Sequence, residues 1–213
     1  MINQLFWDFD GTLFDTYPMM VAAFKRALLE MDIDEVEIDQ RSIYVTMRQH
    51  DVGTVIRKLS AFYGIDEKTL RQLNKKYQIE MVKTAKPFKG VREVLEFVKQ
   101  LSGHHYLLTH RDNQAKALLK EFDLLQYFTD FVTSDQKFPR KPKPDSINWL
   151  IDKNHVDRKS AIMIGDRKLD LQAGNNANIA SCLFDPDGLI VETGNPDIKI
   201  TEVKELIPWL SKR

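Results

Sequence analysis

Leu5-Phe6-Trp7-Asp8-Phe9-Asp10-Gly11-Thr12-Leu13 is the stretch on which the reading of this chain turns. An apolar run, Leu5 to Trp7, leads into two acids one residue apart, then a glycine and a threonine. Strand side chains alternate with period two, so a strand here points Asp8 and Asp10 to the same face. Gly11 then lets the backbone turn away. Carboxylates at the tip of a buried strand do nothing for stability, because an unpaired buried charge is costly. They make sense if something positive, such as a metal ion, sits between them.

Working outward, residues 14–86 read as helical throughout. Val21, Phe24, Ala27, Leu28 and Met31 fall at helical spacing behind Pro18, a residue suited to a first turn. Val52, Val55, Ile56, Leu59, Phe62 and Tyr63 form a second such pattern, with Gly64 as its C-cap, and Leu70, Leu73, Tyr77 and Met81 a third. The class of residues 42–49 is open. Pro87-Phe88-Lys89-Gly90 marks a boundary, and beyond it short apolar strands alternate with helices. The strands are expected at His105–Thr109, Phe128–Thr133, Ala161–Ile164, Ile179–Phe184 and Ile198–Ile200. Asp145 is placed to cap a helix, and Thr201 to cap a last one that Pro208 interrupts or ends. Such alternation predicts an α/β fold: a Rossmann-like, doubly wound parallel sheet over residues 1–13 and 87–213, with an all-helical cap domain, residues 14–86, inserted after the first strand.

Composition removes several function classes. The 213 residues carry 31 Lys plus Arg against 31 Asp plus Glu, so the formal net charge is zero, which argues against a nucleic-acid binder or a polybasic membrane anchor. No apolar run approaches a membrane span. Acids at Asp8 and Asp10 interrupt the place where a signal peptide would keep its apolar stretch. The lone cysteine, Cys182, excludes an internal disulfide and reads as a buried strand residue. The expectation is a cytoplasmic protein, a monomer or weak homodimer, with no nucleic-acid or membrane partner.

In an open α/β sheet, ligands bind outside the carboxyl ends of the strands. Those ends bring Asp8 and Asp10, Thr109 with His110 and Arg111, and Asp166 with Asp170 a helical turn on; the loop Phe138-Pro139-Arg140-Lys141-Pro142-Lys143-Pro144 adds Lys141. Carboxylates want a hard cation with oxygen ligands, and Mg²⁺ is the common choice; an open Mg²⁺ position in turn wants a phosphoryl oxygen. Thr109 and backbone N–H groups can donate to that oxygen, and Lys141 can offset charge as it develops. The chain has no nucleophile elbow and no phosphate-binding loop of the GxxxxGK[ST] form, which leaves a carboxylate as nucleophile and an aspartyl-phosphate as its product.

These motifs resemble, in order and across the whole core, those of the haloacid dehalogenase superfamily of phosphohydrolases. Asp8-Phe9-Asp10-Gly11-Thr12-Leu13 is similar to the first motif, Thr109 to the second, Lys141-Pro142-Lys143-Pro144 to the third and Gly165-Asp166-Arg167-Lys168-Leu169-Asp170 to the fourth. The helical insert resembles the small cap of the phosphoglycolate phosphatase and β-phosphoglucomutase branch. The resemblance implies Asp8 as nucleophile, and Asp10 as the acid that protonates the leaving group and then activates water. It implies Mg²⁺ held by Asp8, the Asp10 main-chain carbonyl and Asp166, with Asp170 binding the metal or orienting Lys141. Thr109 and the N–H groups of Phe9 and Asp10 would hold the phosphoryl oxygens. Dehalogenating members lack an acid at the position of Asp10, so phosphate chemistry is favoured. Lys141 competes with Lys137 and Lys143, and Lys-Pro-x-Pro favours Lys141. His110 and Arg111 depart from the residues often found after this threonine; His110 is a candidate phosphate contact, and both remain open between substrate contact and solvated surface.

The expected activity is Mg²⁺-dependent hydrolysis of a small phosphorylated metabolite. A phosphomutase of the β-phosphoglucomutase type shares the same core. A phosphoaspartate receiver domain also gathers acids, a threonine and a lysine, but the insert and the length count against it; intact motifs count against a catalytically silent binding protein. Substrate choice is expected to rest on a loop near Tyr44 to Val52, where Arg48 or His50 can contact a substrate anion; the alternative for Arg48 is an ordinary surface arginine.

Overall fold

The computed structural model describes residues 1–191 and 194–212. Six parallel strands form one sheet: β1 (Gln4–Trp7), β2 (His104–Leu108), β3 (Phe128–Val132), β4 (Ala161–Gly165), β5 (Ala180–Phe184) and β6 (Ile198–Ile200), in the order β3-β2-β1-β4-β5-β6. This is a doubly wound sheet whose direction of winding reverses beside β1, between β2 and β4. Leu5, Phe6 and Trp7 are wholly buried because β1 is central and covered on both faces, which is why its sequence is a run and not an alternation. Phe6, Tyr106, Leu108, Ile147, Leu150 and Met163 form the core on one face. Cys182 lies buried in β5, and burial pushes its thiol up.

The chain divides into two compact units, Met1–Phe14 with Pro87–Arg213, and Asp15–Lys86. The first holds the sheet. Phe14 belongs to it: its ring stacks on Phe9 at 4.7 Å and meets Phe122 edge-on at 5.6 Å. The second unit consists of four helices, α1 (Tyr17–Leu29), α2 (Gln40–Gln49), α3 (Val52–Tyr63) and α4 (Glu67–Met81), and no strand lies within it among the described residues. Three of these helices, α2, α3 and α4, start at side-chain caps. Asp39, Asp51 and Asp66 accept from the backbone N–H groups of Ser42, Thr54 and Thr69 at 2.9, 2.7 and 2.7 Å. Gly64 ends α3 in the left-handed conformation, φ 66°, as its C-cap position predicts.

The helices of the first unit are α5 (Val91–Gln100), α6 (Gln114–Glu121), α7 (Asp145–Asn154), α8 (Lys168–Asn176) and α9 (Leu206–Leu210). Four expectations need correction. The stretch Tyr44–Val52 is no loop: Tyr44 to Gln49 are the last turns of α2, held by buried Ile43 and Met47, and only His50 and Asp51 connect it to α3. Arg48 is not a surface arginine; it is buried, with its guanidinium carbon 5.3 Å from the Tyr17 ring centre. Asp145 is the first residue of α7 and makes no cap bond. Thr201 does not cap α9 but joins Glu202 in binding the Glu205 carboxylate, and Pro208 sits in the first turn of α9, where a missing N–H costs no helical bond.

Candidate active site

The site grows from the end of β1. The Asp8 N–H donates to the Ile164 carbonyl at 2.9 Å, so Asp8 continues the strand by one bond and is carried, buried, to the gap between β1 and β4. Gly11, φ 76°, then turns the chain, and the N–H groups of Leu13 and Phe14 close on the Phe9 carbonyl at 3.1 Å. The Phe9 ring is buried against Phe14.

Across the gap, β4 ends at Gly165, and Asp166 and Asp170 follow, both wholly buried. Asp170 lies in the first turn of α8, where its Oδ2 accepts from the Arg167 N–H at 3.1 Å. A Cβ on residue 165 would stand 2.2 Å from the Asp170 Cβ, so glycine is what lets α8 start this close to the strand. One carboxylate oxygen from each of Asp8, Asp166 and Asp170 lies within 4.8 Å of the others.

Lys141 reaches this group from the proline-rich loop. Its buried ammonium donates to Asp8 Oδ1, sits 2.6 Å from Asp170 Oδ1, and donates to the Leu108 carbonyl at 3.3 Å. Lys137 and Lys143 are exposed, and of the three lysines only Lys141 is buried beside these acids. Burial pushes the Asp8 carboxyl up to about 8; Lys141 opposes that shift, and the charges of Asp170 and Asp166 reinforce it. Burial alone would lower the Lys141 ammonium, but Asp170 and Asp8 outweigh it and hold the group above its ordinary value.

Three buried carboxylates meet the Lys141 ammonium and, at 3.9 Å from Asp166 Oδ1, the Arg167 guanidinium, which leaves the group one positive charge short, and Asp8 Oδ2 is buried with no hydrogen-bond partner. A divalent cation supplies the charge that is missing, and an all-oxygen donor set suits a hard one. The residues present therefore fit a metal ion.

Asp10 stands apart from the triad. Its carboxylate lies in the fork of Arg111: Nε is 3.1 and 3.2 Å from the two oxygens, and Nη2 is 2.7 Å from Oδ1. Thr109, buried just past β2, accepts the Arg111 backbone N–H at 3.0 Å with its Oγ1. His110, half-buried, is held down to about 3 by burial first, then by the charges of Lys141 and Arg140. Thr109, His110, Lys137, Arg140 and Lys141 line a cleft of about 170 Å³. Arg48 and His50 belong to the second unit, where His50 ends α2 and is exposed.

Sequence reasoning left Arg111 open between surface and substrate. Its position, two residues after a strand-end threonine and level with the acids of β1, was the only available signal. Missing too was the pair beneath the site, in which the Trp7 indole N–H donates to His105 Nδ1 at 3.0 Å and the His105 Nε2 lies 3.1 Å from the Leu95 carbonyl.

A family model described as haloacid dehalogenase-like hydrolase matches residues 5–184, which spans both units. The chain belongs to the haloacid dehalogenase-like hydrolases. This hydrolase is 28% identical over 222 residues to a phosphoglycolate phosphatase of Aliivibrio fischeri, with 99% of this chain and 97% of the relative covered. Among solved structures, a hydrolase from Streptococcus pneumoniae is 30% identical, with a TM-score of 0.65 over 86% of this chain and 92% of that one. A subfamily IA hydrolase of the same superfamily from Geobacter sulfurreducens shares the fold at 18% identity, with a TM-score of 0.76 over 98% and 96% of the two chains. No helix among the described residues is long and apolar enough to cross a membrane.

Proposed function

We propose that this haloacid dehalogenase-like hydrolase is a Mg²⁺-dependent phosphatase of small phosphorylated metabolites that works through an aspartyl-phosphate on Asp8. The observation that carries the reading is the buried group of Asp8, Asp166, Asp170 and Lys141, which stays one positive charge short even with Arg167 beside Asp166 and leaves Asp8 Oδ2 without a partner. Asp8, Asp166 and Asp170, with the Asp10 main-chain carbonyl, would hold Mg²⁺, which would polarise a phosphoryl oxygen and neutralise charge as it develops.

Asp8 attacks phosphorus with a carboxylate oxygen. Lys141, fixed by Asp8, Asp170 and the Leu108 carbonyl, keeps that carboxylate oriented and offsets the charge of the equatorial oxygens. Thr109 and His110, on the wall of the cleft that Lys141 also lines, would contact the phosphoryl oxygens. Asp10 protonates the departing alkoxide, then takes the proton of the water that hydrolyses the aspartyl-phosphate. Residues 15–86 are read as a cap domain, and within it Arg48 and His50 as its candidate substrate contacts. Phosphoglycolate is the first candidate substrate, because curated relatives that the chain matches over nearly their full length carry that activity in their names.

The test is a phosphate-release screen with Mg²⁺ over phosphoglycolate, sugar phosphates, nucleotides and pyrophosphate, run beside Asp8→Asn. That substitution keeps the size of the side chain and removes the nucleophile, so turnover should fall by on the order of 10⁴-fold or more. Substantial residual activity in Asp8→Asn would remove Asp8 from the nucleophile role.

A further inference from the structure

We propose that Arg111 is a positioning residue that holds Asp10 as the proton acceptor for hydrolysis of the phosphoenzyme. The proposal rests on the reading above, in which Asp10 handles the proton of the attacking water. Arg111 is fixed on all sides. Its N–H donates to Thr109 Oγ1 at 3.0 Å, and its carbonyl accepts the Ser134 N–H, also at 3.0 Å. Its Nη1 donates to Gln114 Oε1 at 2.9 Å, which braces the far edge of the guanidinium. The near edge meets both Asp10 oxygens, at 3.1 and 3.2 Å from Nε and 2.7 Å from Nη2. The two side chains are only 11% and 23% exposed, so water screens the pair little.

Two physical points follow from that geometry. Arginine donates and never accepts, so its fork fixes the orientation of the Asp10 carboxylate, and Oδ2, which meets Nε at 3.2 Å, keeps acceptor capacity for a proton. And the brace through Gln114 and the Thr109 hydroxyl links the Asp10 carboxylate to the strand end that would face the phosphoryl group. The step that needs an acceptor is the second half-reaction. There the water oxygen bonds to phosphorus, the bond from phosphorus to the Asp8 oxygen breaks, and Asp8 leaves as a carboxylate. The water's proton passes to Asp10, and inorganic phosphate is released. Lysine at position 111 keeps the charge but not the fork.

A good-leaving-group ester, 4-nitrophenyl phosphate, separates this role from others, because its departure needs no proton. In rapid mixing with Mg²⁺, Arg111→Met should release about one nitrophenolate per enzyme in a burst, since transfer to Asp8 is spared. Steady-state turnover should then fall by on the order of 10- to 100-fold, the cost of a misplaced catalytic group, with KM not raised. Arg111→Lys should behave as Arg111→Met does, and Gln114→Leu should show the same pattern more weakly. Should Arg111→Met not fold, as judged by its thermal melt, the other two variants decide.

A raised KM with kcat kept would assign Arg111 to substrate binding and overturn the proposal. So would a burst that shrinks in step with turnover, or rates that do not change. Asp10→Asn separates the two levels of the argument: it should keep the burst and lose turnover. If it loses the burst as well, the reading of Asp10 fails; if it behaves as stated and the Arg111 variants do not, only the role of Arg111 fails.

Discussion

At the scale of single residues, the first unit contains two polar arrangements built in opposite ways. Around Lys141 the charges do not balance among themselves, and the Asp8 carboxyl is raised by burial first and by the charges of Asp170 and Asp166 after it. Around His105 everything balances without charge: the ring accepts from Trp7 and donates to the Leu95 carbonyl, and burial keeps it neutral, down to about 3. That second arrangement has a consequence for stability. The folded state of His105 takes up a proton only near pH 3, whereas the unfolded chain takes one up near the ordinary value of 6.5. Between those values the unfolded state binds more protons, so stability is full above pH 6.5 and falls as the pH drops through that window. From pH 6.5 to 5 the loss should be about 2 kcal/mol, readable as a falling urea midpoint. His110 is shifted in the same direction and adds to the trend. In His105→Phe the slope of midpoint against pH should therefore shrink without vanishing, whatever the variant's absolute stability. An unchanged slope would mean that His105 is not the group responsible.

At the scale of elements, agreement with the sequence followed the strength of the local signal. The central strand was readable because Leu5 to Trp7 is an unbroken apolar run, and α3 because its period ends at a glycine that adopts the left-handed conformation. Helix α2 was not, because only Ile43, Thr46, Met47 and Arg48 turn inward, and two of those four are polar. A buried arginine is invisible to any argument from apolar spacing. Pro208 misled for a related reason: a proline inside a helical pattern breaks it only where its N–H would have been bonded, and one short turn upstream moves it out of that region. The junction of β4 with α8 shows how finely two elements can be set. Gly165 there is required by contact, since a Cβ would meet Asp170 Cβ, Cγ and Oδ2 at 2.2, 2.5 and 2.8 Å. Gly165→Ala must push α8 away from the strand. We expect a loss of roughly 1–3 kcal/mol in stability, the usual cost of overpacking. The carboxylate triad should loosen with it, so Mg²⁺ affinity by calorimetric titration should fall at least tenfold. A variant that is destabilised yet binds Mg²⁺ as before would show that Asp170 contributes nothing to the metal site.

At the scale of the whole molecule, the four motifs that stand far apart in sequence converge because parallel strands deliver their carboxyl ends to one edge of the sheet, and the winding reverses beside β1. That convergence was legible from element order alone. What lay beyond it was the detail of side-chain pairing, such as the Arg111 fork on Asp10, since no spacing rule links residues separated by a whole βαβ crossover. The same architecture says where the chain can be cut. The path leaves the first unit after Phe14 and returns at Pro87, and these two points are already joined: Phe14 and Pro87 form an antiparallel bridge, and the Phe88 N–H donates to the Leu13 carbonyl at 2.9 Å. A loop of about four Gly and Ser residues is enough to close such a gap, and its closure entropy is small beside that of the segment it replaces. Excising residues 15–86 should therefore leave a protein that melts in one cooperative transition and binds Mg²⁺ with an affinity within about tenfold of the full chain, because every carboxylate of the triad is supplied by the first unit. The two measurements separate the causes of failure. A broad, non-cooperative melt would show that the sheet unit depends on the helical one for its stability. A sharp melt with lost Mg²⁺ binding would show that the metal site needs a group from residues 15–86.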